Sequence, residues 1–196
     1  MLTVIRTYFS RCSEADYVEA LSPELWSSFV SAAPAYVRAA LAEFLPYESY
    51  RHFFNVVLTP GMPHALPPVE SLYKDWGGRQ AGLQHGQGFY LGDSAREVTR
   101  LCAALEIDIP EEYAAIPDHL VLLLELFVFL RTNASAEETR AFAASHFDWL
   151  GTYRNLLAKR VAADDGEGLK EAGMFYQHLV DYIESMVTDE QTARSA

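Results

Sequence analysis

The sequence predicts an all-α fold, a globular bundle of roughly eight helices. Apolar residues recur at helical spacing after helix-capping signals in several places. One apolar run, Leu120 to Leu130, covers every face of a helix, as a buried central helix does. No segment alternates apolar and polar residues for long enough to indicate more than a short piece of strand. We therefore expect residues 1–196 to form a single helical domain.

Three serines mark where helices are expected to begin. Ser22-Pro23 has the pattern of an N-cap followed by proline at the first helical position. Ser94-Ala-Arg-Glu97 and Ser135-Ala-Glu-Glu138 have the capping-box pattern, in which serine and glutamate satisfy each other's backbone N–H groups. Apolar faces follow the two boxes, formed by Val98, Leu101, Cys102 and Leu105 in one case and by Phe142, Ala143, His146 and Phe147 or Trp149 in the other.

The predicted central helix is preceded by Pro117-Asp-His-Leu120. Asp118 is a natural N-cap, and His119 would occupy the first turn, where the helix dipole disfavours its charged form. A cap followed by a solvated histidine is the simplest interpretation. Glu125 interrupts the apolar run, and a carboxylate there is costly unless it is paired or reached by water. We expect Glu125 to contact an arginine inside the bundle or to line a cleft.

The last long helix is expected to run from about Glu167 to Val187. Its buried stripe would consist of Ala172, Tyr176, Leu179, Ile183 and Met186. The polar tail over residues 188–196 is expected to fray.

Residues 59–92 differ from the rest, because prolines and glycines make regular structure hard to sustain there. This predicted irregular loop also carries Tyr73, Trp76, Phe89 and Tyr90. Long irregular segments in compact domains are often functional. Its aromatic residues would either bind a partner or pin the loop to the core, and the sequence leaves both interpretations open.

The formal net charge of −12 makes nucleic acid and anionic membrane surfaces poor partners and favours a cationic ligand such as a basic peptide. The start of the chain lacks the features of a signal peptide, and the longest apolar run is shorter than the roughly 20 residues of a membrane span. We therefore expect a cytoplasmic protein without stable membrane insertion. Two cysteines suit a reducing compartment, and Cys102 is predicted to be a buried, inert thiol.

Sequence signals for catalysis or metal binding are weak. None of the six histidines has HExxH spacing, and Gly86-Gln-Gly88 lacks the rest of a dinucleotide fingerprint. The chain has no P-loop and no GxSxG element. We therefore expect no enzymatic activity, no cofactor and no metal site.

Several segments together resemble the TorD/DmsD/NarJ family of redox-enzyme maturation chaperones. Ile116-Pro-Asp-His-Leu120 followed by Leu124-Glu-Leu-Phe127 is similar to the family's most recognisable signature. Further similar elements, in the family's order, are Pro68-Val-Glu-Ser-Leu-Tyr73, Phe89-Tyr-Leu-Gly-Asp-Ser94, His146-Phe-Asp-Trp-Leu150 and Phe175-Tyr-Gln-His-Leu179.

This resemblance implies an all-helical chaperone that binds the N-terminal, often twin-arginine, segment of a molybdopterin-containing oxidoreductase of the DMSO-reductase type until its cofactor is inserted. It implies a monomer or a helix-swapped dimer. The candidate peptide-binding residues are Asp118, His119, Glu70, Tyr73, Trp76 and Glu125. The alternative is a small-molecule-binding helical bundle that acts as a regulator or cofactor carrier.

Overall fold

A computed structural model describes residues 1–74, 90–164 and 166–192 of the chain. Its regular elements in these ranges are helices, which confirms the predicted all-α class. The α-helices are α1 (Leu2–Phe9), α2 (Glu14–Ala20), α3 (Pro23–Ala32), α4 (Ala35–Arg38), α5 (Tyr47–Phe53), α6 (Asp93–Ala104), α7 (Leu120–Asn133), α8 (Ala136–His146), α9 (Leu150–Ala162) and α10 (Glu167–Thr192). A π-helical turn spans Phe54–Leu58, and 3₁₀ turns span Glu70–Leu72 and Glu111–Tyr113.

The chain divides into two compact units. The first unit, Met1–Pro67 with Leu150–Ala196, contains α1 to α5, α9 and α10. The second unit, Pro68–Trp149, contains the two 3₁₀ turns with α6, α7 and α8. Each candidate peptide-binding residue that the structure describes belongs to the second unit.

A tyrosine cluster forms much of the core of the first unit. Tyr8, Tyr17, Tyr50 and Tyr176 are each at most 2% exposed. Buried tyrosines need a partner for the hydroxyl group, and here backbone carbonyls supply it. Tyr50 donates to the Ser10 carbonyl at 2.6 Å, and Tyr176 donates to the Tyr8 carbonyl at 2.6 Å. This pattern explains how a core with so many hydroxyl groups remains satisfied.

The predicted helix starts are confirmed at two of the three serines. Ser22 is the N-cap of α3, with Pro23 at the first helical position. Ser135 and Glu138 form the expected reciprocal bonds at the start of α8. The prediction for Ser94 is wrong, because α6 begins at Asp93 with Gly92 as its N-cap. Ser94 is fully buried instead, in the turn of α6 that follows.

Helices α7 and α10 follow the sequence prediction closely. Apolar side chains of α7 are buried on almost every face, which confirms it as a central helix of its unit. Helix α10 starts at Glu167 as expected, but it continues to Thr192, past the predicted end at Val187. Four of the five predicted stripe residues of α10 are buried, and Met186 is half-buried.

A short antiparallel backbone pairing fixes the start of the second unit. Val69 and His119 form an isolated β-bridge. The Glu70 N–H donates to the Asp118 carbonyl at 3.1 Å, and the Leu120 N–H donates to the Pro68 carbonyl at 2.8 Å. The segment that enters the Glu70–Leu72 turn is therefore held against the residues that precede α7.

Candidate peptide-binding groove

Asp118 lies inside the second unit and does not cap α7. Its side chain is fully buried, and Oδ2 accepts a hydrogen bond from the Ser71 N–H at 2.7 Å. The predicted N-cap role is wrong, since the β-bridge turns Asp118 towards the Glu70–Leu72 turn. His119 occupies the cap position, where its Nδ1 accepts from the Val121 N–H at 3.3 Å. Asp118 thus fixes one segment of this unit against another.

His119 is buried and not solvated, contrary to the sequence expectation. Only 6% of the residue is exposed, and its ring lies 5.1 Å from the ring of Tyr113. Burial lowers the pKa of His119 to about 3, because the charged imidazolium loses its hydration. The ring is therefore neutral at physiological pH, which lets Nδ1 accept the capping hydrogen bond.

Glu70 is the centre of a buried polar network in the second unit. Its side chain is fully buried. One carboxylate oxygen lies 3.2 Å from Lys74 Nζ, and the other lies 2.8 Å from His146 Nδ1. Lys74 also contacts Asp148 Oδ1 at 3.2 Å and donates to the Ser145 carbonyl. The network meets the rule that a buried charge is paired and hydrogen-bonded.

Tyr73 adds an aromatic contact to the same region. It is 7% exposed, and its ring stacks on that of Trp149 with centroids 5.5 Å apart and an interplanar angle of 11°. For Tyr73 the structure therefore favours the pinning interpretation. Tyr90 is 43% exposed. Trp76 and Phe89 lie outside the described residues.

Glu125 is half-buried on α7. Its predicted contact with an arginine or a cleft stays a prediction.

An open groove lies between α6, α7 and α8 of the second unit. Its volume is about 750 Å³. Apolar side chains line much of it, and charged side chains line part of the rest. The apolar residues include Leu101, Leu105, Leu130 and Phe142, and the charged residues include Glu97, Arg100 and Glu138. Leu101 on the predicted apolar face of α6 and Leu105 at the C-cap of that helix are only half-buried. The sequence placed both leucines on a helix face but gave no signal that they would stay only half-buried among the described residues.

The groove also reaches the buried network through His146. This residue is 2% exposed and is one of the groove-lining residues. Its Nδ1 faces Glu70, and its Nε2 lies 4.0 Å from Glu97 Oε1. His146 thus stands between Glu70 and the groove, whereas Asp118 and His119 are not among the residues that line the groove.

In the part of the chain that the structure describes, no three or more His, Cys, Asp and Glu side chains are grouped to hold a metal ion. None of the described helices is both long enough and apolar enough to cross a membrane.

The fold and the groove define an all-α protein with an open, largely apolar cleft between three helices. A model of the nitrate reductase delta subunit family matches residues 20–163, which is more than half of the chain. The chain belongs to this family, which is a family of molybdoenzyme maturation chaperones. The resemblance inferred from the sequence motifs is thereby confirmed. Searches of curated proteins and of solved structures gave no match.

Proposed function

We propose that this protein binds the N-terminal, twin-arginine-type segment of a DMSO-reductase-family molybdoenzyme in the cytoplasm. By holding that segment, it would keep the catalytic subunit back until the molybdopterin cofactor is inserted and the enzyme is assembled. Family membership supports the chaperone role. The nature of the bound segment rests on the groove and on the charge of the chain.

The observation that carries the proposal is the open groove between α6, α7 and α8. Leu101 of α6, Leu105 at the C-cap of α6 and Phe142 of α8 all line it. An amphipathic helix commonly binds by laying its apolar face into such a cleft. A groove of about 750 Å³ offers room for several apolar side chains of a bound helix.

Charge supports a basic occupant. The net charge of −12 attracts a cationic segment over a distance of about one Debye length. Glu97 and Glu138 place two carboxylates at the groove itself, against the one guanidinium of Arg100. A signal segment that combines arginines with an apolar helix matches both the floor and the charge of this groove.

The sequence-derived site residues take different positions in this proposal. Glu70 supports the groove from behind through His146, and Tyr73 holds the Glu70–Leu72 turn in place by stacking on Trp149. Asp118 and His119 hold the segment before α7 against the same turn. Asp118 does so by accepting a hydrogen bond from the Ser71 N–H, and His119 does so through its β-bridge with Val69. A direct contact of any of these residues with a peptide remains a prediction.

The test is calorimetric titration with a synthetic peptide. The probe is the N-terminal segment, with its twin-arginine motif, of a catalytic subunit of the DMSO-reductase type. We expect a Kd of about 1 μM or tighter, which corresponds to about −8 kcal/mol. Leu101→Gln, which makes the groove polar, should weaken binding by about ten-fold, since burying a polar group without a partner is unfavourable.

Leu25→Gln is the matched control. Leu25 is an exposed leucine of α3, 44% exposed, and it does not line the groove. The same substitution there should leave the Kd unchanged. Absence of heat with the unsubstituted protein at high micromolar concentration would refute the proposed function. Equal weakening by both substitutions would refute the groove as the peptide site.

A further inference from the structure

A second concave surface lies within the first unit and shares no lining residue with the groove described above. Residues of α10 and of the segment 39–46, which joins α4 to α5, line it. Its volume is about 600 Å³. We name this surface the α10 cleft. Besides small apolar residues, its lining includes Glu43, Phe44, Glu171, Met174, Phe175 and His178.

One face of α10 is partly open at this cleft. Glu171, Met174, Phe175 and His178 are spaced i, i+3, i+4 and i+7, so their side chains share one side of the helix. Met174 is 54% exposed, although the neighbouring Phe175 is buried. The flexible thioether of methionine adapts to the shape of an apolar partner. This face of α10 therefore offers an adaptable apolar contact.

Aromatic packing fixes the shape of the α10 cleft. The Phe175 ring stacks on Trp26 of α3, with centroids 6.1 Å apart. The Phe44 ring contacts the same indole in an edge-on arrangement, with centroids 5.8 Å apart. Trp26 Nε1 also donates to the Ala42 carbonyl at 3.4 Å. Because Trp26 contacts both α10 and the segment 39–46, the cleft is pre-formed, which lowers the entropic cost of binding a partner.

The α10 cleft is acidic. Glu43 and Glu171 are both exposed, and no lysine or arginine is among the described residues that line the cleft. In the described ranges, no ion pair joins either carboxylate to a cation. Even with His178 protonated, two carboxylates leave the lining with a net negative charge. The cleft is therefore complementary to a partner that is both apolar and cationic.

A second copy of this chain is a poor occupant of the α10 cleft. In a symmetric dimer the same patch meets itself, so the two carboxylates of each protomer would lie against those of the other. The net charge of −12 adds a general repulsion between copies. A cationic partner is attracted by both features.

We propose that the α10 cleft binds an amphipathic helix of another protein, whose apolar face is bordered by lysine or arginine. From Glu171 to His178 the open face of α10 extends for about two helical turns, or roughly 10 Å. A helix laid along a groove of this kind is a common mode of recognition. The inference goes beyond the proposed function and does not rest on it.

Methionine methyl NMR of the full chain tests this proposal. The chain has four methionines, Met1, Met62, Met174 and Met186, and of these only Met174 lines the cleft. The probe is a synthetic helix of about four turns, with leucine on one face and lysine on the other. We expect a saturable shift of the Met174 methyl resonance and no shift of Met62, which is 45% exposed. The same peptide with glutamate in place of lysine should bind at least about ten-fold more weakly.

Charge substitutions locate the contact. Glu43→Gln combined with Glu171→Gln should weaken binding of the lysine peptide about five-fold, as expected for the loss of two exposed ion pairs. The matched control is Glu14→Gln combined with Glu19→Gln, because both residues are exposed on α2, lie outside the cleft lining and remove the same charge. The control should change the Kd by less than about two-fold. Equal weakening by the two pairs would overturn the cleft as the site.

Three further outcomes would overturn the proposal. The first is a Met174 resonance that the lysine peptide does not shift. The second is an equal shift of Met62, which indicates adsorption at many places on the surface. The third is a Met174 shift that depends on protein concentration without peptide, which indicates that a second copy fills the cleft.

Leu101→Gln separates this cleft from the groove of the second unit, because Leu101 lines only that groove. The Met174 response of this variant should equal that of the parent, and its loss would overturn the α10 cleft as the binding site of the probe. Failure of the twin-arginine segment to bind would refute the proposed function and leave the result at Met174 intact.

Discussion

At the scale of single residues, tertiary contacts reassign the roles in the Pro117-Asp-His-Leu120 turn. Sequence rules favour Asp118 as the cap because its short carboxylate can accept N–H bonds from the first turn. In the folded chain the same carboxylate accepts from Ser71, which is far away in sequence. His119 then becomes the cap, and it does so as a buried, neutral ring. Local propensity identified the start of α7 but not which of the two neighbouring side chains, Asp118 or His119, would cap it.

The buried state of His119 predicts a pH dependence of stability. Its pKa falls from 6.5 to about 3 on folding. Below pH 6.5 the unfolded chain therefore binds a proton that the folded chain does not, and stability is lost as the pH falls towards 3. The slope from this residue approaches about 1.4 kcal/mol per pH unit between these two values.

The measurement is urea unfolding of the parent and of His119→Asn at pH 7, 6 and 5. Asparagine is a good N-cap and does not titrate in this range, so the variant keeps a capping group and loses the proton linkage. We expect the difference in unfolding free energy between the two proteins to shrink steadily as the pH falls. A difference that is independent of pH would show that His119 titrates normally in the folded chain.

At the scale of helices, close approach decides the effect of a glycine that sequence rules would treat as a weakness. Gly173 lies inside α10, which packs against α9. A Cβ atom at this position would overlap a methyl group of Val161 on α9. Val161 is β-branched and stiff about χ1, so it cannot easily move aside. The glycine is therefore required by helix packing.

This contact predicts that Gly173→Ala destabilises the protein by about 1–3 kcal/mol, although alanine is the better helix former. Gly168→Ala in the first turn of the same helix is the control, because a Cβ there meets nothing within 4 Å. That control should be neutral or stabilising by a few tenths of a kcal/mol. Urea unfolding measures both. Adding Val161→Ala should recover part of the loss at Gly173, and stabilisation by Gly173→Ala alone would contradict the packing argument.

At the scale of the whole molecule, charge is the property that bears most directly on the proposed partner. Acidic residues outnumber basic ones by 27 to 15. A charge imbalance of this size repels nucleic acid and attracts cations, independently of the fold. The apolar groove and the acidic surface should contribute separately to peptide binding, because salt screens only the second.

We therefore expect the affinity for the arginine-containing peptide to fall as ionic strength rises from low salt to about 1 M, where the Debye length is about 3 Å. The affinity for the same peptide with glutamine in place of its arginines should depend much less on salt. Fluorescence anisotropy titrations across a salt series measure both. Identical salt dependences would mean that the acidic surface has no part in recognition.

The sequence by itself determined the fold class, the starts of α3 and α8, the buried face of α10 and the family, because each rests on local spacing, capping chemistry or ordered motifs. Only the tertiary structure decided which polar side chains are buried and which partners they contact. The contact of Asp118 with Ser71 and the contact of Glu70 with His146 join residues that no local rule relates. The groove likewise depends on how the described parts of α6, α7 and α8 pack together, and periodicity shows that a helix face is apolar but not what packs against it.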